Sequence, residues 1–160
     1  MIFTNVESVA NVARACCSAN PVIVIDGWIG SGKSTLAEAL AADIGALHFD
    51  LDSALLQDQG NYVPSLDLGV IRNAIIDRTE PLVVSGICAL QVFEKVGVRL
   101  DFYVYVKRMA IWGWADEQEL AGGIPEVPGA SGEVVRNELR AYHQKWKPHV
   151  LATHEYHRSG

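Results

Sequence analysis

Residues 27–34 read Gly-Trp-Ile-Gly-Ser-Gly-Lys-Ser, a complete match to the pattern Gly-x-x-x-x-Gly-Lys-Ser/Thr. The run Val22–Ile25 before it is entirely β-branched, which is typical of a strand covered on both faces. Residues 33–44 after it are rich in helix-forming side chains, and Gly45 is suited to end that helix. The glycines allow backbone N–H groups to turn inward at the start of the helix and bind phosphate oxygens. The sequence therefore predicts a phosphate-binding loop within a strand–loop–helix unit.

The side chains of this loop have separate tasks in binding a nucleoside triphosphate. Lys33 reaches the β- and γ-phosphates, and the Ser34 hydroxyl is a ligand for Mg²⁺. The loop amides surround the phosphates, so the motif predicts these nucleotide-binding residues: Gly27, Ile29, Gly30, Ser31, Gly32, Lys33 and Ser34. The motif does not select a base, and we take ATP as the default nucleotide.

The composition excludes several classes of protein. The 160 residues include 13 Lys+Arg and 19 Asp+Glu, a formal net charge of −6, with 49% hydrophobic and 20% charged residues. This is an ordinary globular composition, and the length suits one domain over residues 1–160. The acidic balance argues against nucleic-acid binding, because Lys and Arg supply most of the affinity for a phosphate backbone. A small anion at one local site remains compatible with this charge.

The expected localisation is cytoplasmic, with no membrane partner. The longest uncharged stretches, residues 15–25 and 81–93, are shorter than the ~20 apolar residues that cross a bilayer. The first 20 residues lack the basic segment of a secretory signal. Three cysteines without Cys-x-x-Cys spacing are predicted to be buried thiols: Cys16, Cys17 and Cys88. Nothing in the sequence indicates an oligomeric state.

Helix and strand patterns alternate along the chain. Helices are predicted at 4–18, 33–44, 66–78, 88–95, 108–120 and 132–155, and strands at 22–25, 46–50, 81–85 and 100–106. Residues 121–132 are rich in glycine and proline, which is typical of a loop, and 153–160 show no fifth strand. Strands separated by helices form βαβ units. We therefore predict an α/β protein with the three-layer P-loop NTPase fold, in which helices flank a small, mainly parallel sheet.

Two acidic residues follow the second predicted strand, in the stretch His48-Phe49-Asp50-Leu51-Asp52. The carboxyl end of such a strand borders the ligand crevice of an α/β sheet. One carboxylate there can hold Mg²⁺ through water, while the other accepts a hydrogen bond, and finally the proton, from an attacking hydroxyl. The alternative is that both acids cap the loop that follows the strand.

The stretch Ile25–Leu36 resembles the opening of small P-loop kinases, among them the uridine, cytidylate, gluconate and shikimate kinase families. Asp50 and Asp52 resemble the Asp-x-Asp of the shikimate and gluconate kinases. The resemblance extends over residues 21–108.

This resemblance implies an ATP- and Mg²⁺-dependent kinase that phosphorylates a hydroxyl of a small metabolite, namely a nucleoside, a sugar acid or a hydroxy acid. It implies that Asp50 is the metal-side acid and that Asp52 is the acid at the substrate hydroxyl. It also implies that Thr35 touches the α-phosphate. Arg108 corresponds to the catalytic arginine that follows the fourth strand in nucleoside kinases.

The sequence departs from these families at two places. Ser85-Gly86 stands where nucleoside kinases have an acid followed by glycine, and Gly86 either lets a substrate approach or makes a turn. The predicted lid, residues 112–135, contains no Arg or Lys, although such lids carry arginines that neutralise phosphate charge. Arg136 and Arg140, at i and i+4 on the last helix, are further candidates for that role.

Aromatic side chains give additional expectations. Trp28 lies inside the phosphate loop, and we expect it to line the acceptor side of the site. The other three tryptophans are predicted to pack in the core: Trp112, Trp114 and Trp146. The C-terminal histidines lack the spacing of a metal site and are expected at the surface: His143, His149, His154 and His157.

Two alternatives to a kinase remain open. A nucleotide-dependent switch or NTPase would act on a protein partner, although the Asn-Lys-x-Asp element of regulatory GTPases is absent. A non-catalytic nucleotide-binding module is compatible with the uncharged lid and with Ser85 in place of an acid. The acceptor pocket is expected in the 53–65 loop and the helices beyond it, and the sequence does not identify the acceptor.

Overall fold

Seven strands form one sheet in the computed structural model, which describes residues 1–56, 60–122 and 132–160. They are β1 (Ile2–Phe3), β2 (Val22–Gly27), β3 (Leu47–Asp50), β4 (Leu82–Ser85), β5 (Phe102–Ala110), β6 (Gly113–Trp114) and β7 (Glu155–Ser159). Their order is β1-β7-β5-β2-β4-β3, with β6 attached to β5 outside this order. Neighbouring strands are parallel, except in the antiparallel β5–β6 hairpin.

Helices cover both faces of this sheet. They are α1 (Val6–Cys16), α2 (Lys33–Ile44), α3 (Leu68–Ile76), α4 (Ala89–Val96), α5 (Glu117–Leu120), α6 (Glu133–Trp146) and α7 (Pro148–Leu151). Side chains of β2 alternate between the faces, as the pleat of a strand requires. Val22 and Val24 pack with α3, α4 and α6, whereas Ile23 and Ile25 pack with α1 and α2. This arrangement confirms the predicted three-layer α/β fold.

The C-terminal residues differ from the prediction. We expected no strand in 153–160, but β7 pairs with β5 from Tyr105–Glu155 to Met109–Ser159 and with β1 at Ile2. Its sequence, Glu-Tyr-His-Arg-Ser, has no apolar run and therefore no strand signal of its own. The neighbouring strands supply its backbone partners, and Lys107 binds Glu155 at 2.7 Å. The absence of a fifth strand was thus a wrong prediction.

Two predicted helices are also shorter than expected. Residues 108–120 were predicted as one helix, but β5 continues to Ala110 and turns into β6, and only Glu117–Leu120 are helical. Gly113, with φ +128°, permits this turn. The last predicted helix, 132–155, ends at Trp146, where Lys147 has a left-handed φ of +49° and Pro148 follows. Proline lacks the N–H that would continue the helix, so the chain starts a new turn, α7.

The predicted lid is only partly described. Residues 112–122 contain the end of the β5–β6 hairpin and α5, and residues 132–135 include the start of α6. Residues 123–131 of the lid lie outside the described residues. Among the helices that the structure describes, none has the length and apolar character needed to span a membrane.

Candidate active site

The phosphate-binding loop connects β2 to α2, as predicted. Gly32 caps α2 with φ +98°, and Gly30 has φ +71°, backbone angles that favour glycine. A Cβ on Gly27 would lie 2.7 Å from Ser31 Oγ and 2.8 Å from the Val106 carbonyl oxygen, so this position has no room for a side chain. Ser31 Oγ is buried and has no hydrogen-bond partner among the described residues. The loop therefore keeps a free polar group beside its backbone amides.

A cleft of about 700 Å³ borders this loop. Its lining includes six residues of the predicted nucleotide set, namely Ile29, Gly30, Gly32, Lys33, Ser34 and Thr35. Asp50 and Asp52 line the same cleft. Two residues of the set, Gly27 and Ser31, lie behind this surface. The structure therefore brings the predicted phosphate site and the predicted acid pair together.

Lys33 lies among backbone oxygens and carboxylates. Its ammonium group donates to the carbonyl oxygen of Trp28 at 2.6 Å. Burial lowers the pKa of Lys33, while the carboxylates of Asp26, Asp52 and Asp50 act in the opposite direction. The side chain is thus folded over its own loop, beside the place where the motif expects phosphate oxygens.

Asp50 and Ser34 form a pair of oxygen donors. Ser34 Oγ donates to Asp50 Oδ2 at 3.1 Å, and the other oxygen of Asp50 accepts from the Asp52 N–H at 2.9 Å. The described residues contain no cluster of three or more His, Cys, Asp or Glu that could hold a metal ion. A hydroxyl and one carboxylate nevertheless fit Mg²⁺, which prefers oxygen and commonly takes only a few protein ligands beside substrate phosphates.

Asp52 is held by a tyrosine across the cleft. Asp52 lies in a 3₁₀ turn after β3, and its Oδ1 accepts from the Tyr62 hydroxyl at 2.7 Å. Burial and the charge of Asp52 raise the pKa of Tyr62, so the phenol keeps its proton and donates it. The Tyr62 N–H in turn donates to Glu138 on α6 at 2.5 Å. Sequence reasoning missed Glu138, because only the folded chain brings α6 to this loop.

Asp26, immediately before the loop, is sealed from solvent. Its carboxylate accepts from the Gly27 N–H at 2.7 Å and from the hydroxyls of Tyr103 and Tyr142 at 2.8 and 2.5 Å. Burial raises the pKa of Asp26, and these three hydrogen bonds oppose that rise. Asp26 does not line the cleft. It connects the base of the loop to β5 and α6.

The arginines are arranged differently from the prediction. Arg108 donates to Asp116 at 2.7 Å and lines a separate cleft beside Trp112, not the one at the phosphate loop. Arg140 binds the Glu119 carbonyl and does not line the loop cleft either. Arg136 does line it, with its Nε 3.9 Å from a Glu119 oxygen. Arg158 on β7 also lines it, a residue that sequence reasoning missed because β7 has no strand signal.

The expectations for Trp28 and the histidines are corrected by the structure. Trp28 is 1% exposed, packs edge-on against His143 and donates to Glu119 at 2.8 Å, so it belongs to the core and not to the acceptor side. His143 is also buried, where its Nδ1–H bonds the Leu139 carbonyl and its Nε2 accepts from Tyr105. Conversely, Trp112 is 79% exposed, and Cys16 is exposed as well.

The end of β4 explains Ser85 and Gly86. A Cβ on Gly86 would lie 2.7 Å from Leu51, so the glycine lets the 3₁₀ turn that carries Asp52 pack closely. Gly86 also lines the cleft, so the same glycine allows close packing on Leu51 and faces the candidate site. The Ser85 hydroxyl pairs with His48 Nε2 at 2.7 Å. In the place of an acid, β4 thus presents a hydroxyl that is paired with a histidine of β3.

Comparison with known proteins supports the fold. No protein-family model matches the sequence, and no curated protein is significantly similar to it. A solved structure described as a possible uridine kinase from Bacillus stearothermophilus superimposes with a TM-score of 0.62, at 14% identity, over 94% of this chain and 96% of that chain. The chain has the fold of a P-loop kinase. This likeness shows the fold of the chain alone.

A second solved structure is an uncharacterized protein from Eubacterium ventriosum. It is 14% identical over 87% of this chain and 88% of that chain, with a TM-score of 0.43. That superposition is too loose to bear on the P-loop kinase fold.

Proposed function

We propose that this protein is an ATP- and Mg²⁺-dependent kinase that transfers the γ-phosphoryl group to a hydroxyl of a small metabolite. The observation that supports this most is that one cleft contains both the phosphate-binding loop with Lys33 and the carboxylate of Asp52. A phosphate site beside a hydrogen-bond-accepting carboxylate is the arrangement that phosphoryl transfer to a hydroxyl requires.

The loop side of the cleft positions the triphosphate. Its backbone amides lie at the start of α2, and the Lys33 ammonium exchanges the Trp28 carbonyl for a phosphate oxygen when nucleotide binds. Phosphoryl transfer needs little covalent help from the protein, so positioning and electrostatic stabilisation supply most of the rate. Donors that are fixed before the reaction do this work without reorganising.

Ser34 and Asp50 are the residues that would hold Mg²⁺. Their oxygens are already in contact, since Ser34 at the start of α2 and Asp50 at the end of β3 lie at the same edge of the sheet. When bound, the ion neutralises negative charge on the phosphates. Ser34 supplies a hydroxyl oxygen and Asp50 a carboxylate oxygen, while the other oxygen of Asp50 keeps the 3₁₀ turn in place.

Asp52 orients the acceptor hydroxyl and takes its proton. Its Oδ1 is engaged by Tyr62, and its Oδ2 accepts no hydrogen bond from any described residue. The lining of the cleft also includes the apolar side chains Leu55, Ile87 and Val135. One carboxylate oxygen of Asp52 is therefore free to accept from a hydroxyl of a small metabolite such as a nucleoside, a sugar acid or a hydroxy acid.

The test is ADP formation from ATP and Mg²⁺ with a panel of nucleosides, sugar acids and hydroxy acids. We expect turnover only when a suitable acceptor is present. Asp52→Asn should lower kcat by about a hundredfold, because it removes the proton acceptor, while MgATP affinity changes little. Asp77→Asn, at the exposed end of α3, is the matched control and should leave kcat unchanged.

Other outcomes would contradict the kinase proposal. ATP turnover that is independent of any acceptor would favour a switch or NTPase. Tight nucleotide binding without turnover would favour a non-catalytic module. An unchanged kcat in Asp52→Asn would refute the role given to this carboxylate.

A further inference from the structure

Arg158 brings a positive charge to the phosphate loop from the far end of the chain. It lies on β7, opposite Arg108 on β5, at the edge of the sheet where the loop also begins. Among the described residues, three cationic side chains line the loop cleft: Lys33, Arg136 and Arg158. Arg136 has a carboxylate neighbour in Glu119, and Lys33 is bonded to its own loop.

The side chain of Arg158 lies directly against Gly32. A Cβ built on Gly32 would be 2.8 Å from Arg158 Cδ and 2.9 Å from its Nη1, so a side chain larger than glycine's would displace the arginine. Gly32 is also the residue that caps α2, whose first N–H groups have no partner within the helix. The guanidinium therefore lies beside the free amides that the motif uses for phosphate.

No described residue pairs with this guanidinium through a hydrogen bond or an ion pair. Other arginines on this side of the sheet are engaged, Arg108 by Asp116 and Arg140 by Glu119 and Glu133. A guanidinium carries five N–H donors in a planar fork that matches phosphate oxygens. An unpaired guanidinium packed against a phosphate loop, close to Lys33, is an arrangement that a bound anion would stabilise.

We propose that Arg158 binds the phosphate chain of the nucleotide and supplies, from the last strand, a cation that the predicted lid does not contain. This rests on the proposed function only in requiring that the loop binds nucleotide. The resulting site has cations from three separate elements, the loop, α6 and β7.

The test is calorimetric titration with MgADP and, separately, with magnesium pyrophosphate. Arg158→Gln should lower the affinity for both ligands by about tenfold or more, because a charge-assisted contact is lost. Arg158→Lys keeps the positive charge without the planar guanidinium, and its affinity for both ligands should fall less than that of Arg158→Gln. Arg99→Gln, which removes an exposed arginine away from the cleft, is the matched control and should bind like the wild type. Thermal unfolding should be unchanged in Arg158→Gln, since this exposed side chain makes no hydrogen bond or ion pair with any described residue.

The outcomes separate this proposal from the proposed function. If Arg158→Gln weakens MgADP but not pyrophosphate, the arginine contacts the nucleoside and the proposal is overturned. If Lys33→Ala loses binding while Arg158→Gln binds normally, the kinase proposal stands and the role of Arg158 falls. If the wild-type protein binds neither ligand, both fail.

Discussion

The two sides of the cleft are built in different ways. On one side, the phosphate loop and the acids Asp50 and Asp52 come from consecutive elements, β2, α2 and β3. On the other side, Arg136 and Arg158 come from α6 and β7, near the end of the chain. Local backbone geometry forms the first side, whereas the second side forms only when α6 packs on the sheet and β7 pairs with β5. The anion-binding motif is therefore encoded within a few residues, whereas the additional cations reach the cleft only through the tertiary packing of α6 and β7.

The largest expected effect lies on the first side. Lys33→Ala removes the loop ammonium and should lower kcat by a hundredfold to a thousandfold, about the loss seen when one preorganised donor is deleted. The fold should survive, because the loop is held mainly by backbone contacts and by Asp26. Acceptor-dependent ADP formation measures the effect, and circular dichroism checks the fold.

Lys95→Ala is the matched control, since it removes an exposed lysine from α4. Equal activity in Lys33→Ala and Lys95→Ala would show that the Lys33 ammonium does not contribute to phosphoryl transfer.

A low pH should lower the free energy of unfolding through His143, which lies on α6 of the second side. His143 on α6 is buried and neutral, and burial lowers its pKa to about 4 from an ordinary value of 6.5. The unfolded chain therefore takes up this proton first, so the free energy of unfolding falls as the pH drops from about 6.5 to about 4. The loss attributable to this group is at most about 3 kcal/mol.

Urea unfolding at a series of pH values measures this loss. His143→Gln cannot titrate, and its unfolding free energy should therefore fall less steeply over that range. Parallel pH curves for the wild type and His143→Gln would contradict the assignment of a neutral, buried His143.

The two candidate arginines give a smaller and more selective contrast. Arg136→Gln should lower kcat/KM by about tenfold, because a charge facing the cleft is lost. Arg108→Gln should leave kcat/KM nearly unchanged but reduce stability by about 1–2 kcal/mol, since the buried Asp116 carboxylate loses its partner. The stability effect stays this small because the Arg108 side chain is 45% exposed, so water screens its charge.

Steady-state kinetics and urea unfolding of both variants check this contrast. A large loss of kcat/KM in Arg108→Gln together with normal kinetics in Arg136→Gln would restore the role that the sequence predicts for Arg108.

Much of the first side could be predicted from sequence, because its signals are short in range. The glycine pattern, the β-branched run and the composition of 33–44 each act within a few residues, and helix α2 has the predicted bounds Lys33–Ile44. Asp50, Asp52 and Gly86 line the same cleft as the loop, and the roles that the sequence gives to the two acids stay predictions.

On the second side, Arg136 was a candidate from sequence, whereas Arg158 could not be predicted because its strand depends on distant partners. Strand β7 is polar and gains its hydrogen bonds from β5 and β1. Burial was also missed on both sides: that of Trp28 in the loop required Glu119 to satisfy its indole N–H, and that of His143 on α6 required Tyr105. Composition around 108–120 favoured a helix, yet pairing with β2 and β7 extends β5 to Ala110. In each case the tertiary environment outweighed the local propensity.

In the proposed function, the cleft passes the γ-phosphoryl group directly from ATP to a hydroxyl. The most direct measurement uses ATP whose γ-phosphoryl oxygens carry ¹⁸O, with mass spectrometry of the products formed from an accepted metabolite. We expect the labelled phosphoryl group to appear on the metabolite, and Lys33→Ala to slow this transfer by about a hundredfold to a thousandfold. Label that appears only as inorganic phosphate, whether or not the metabolite is present, would contradict it.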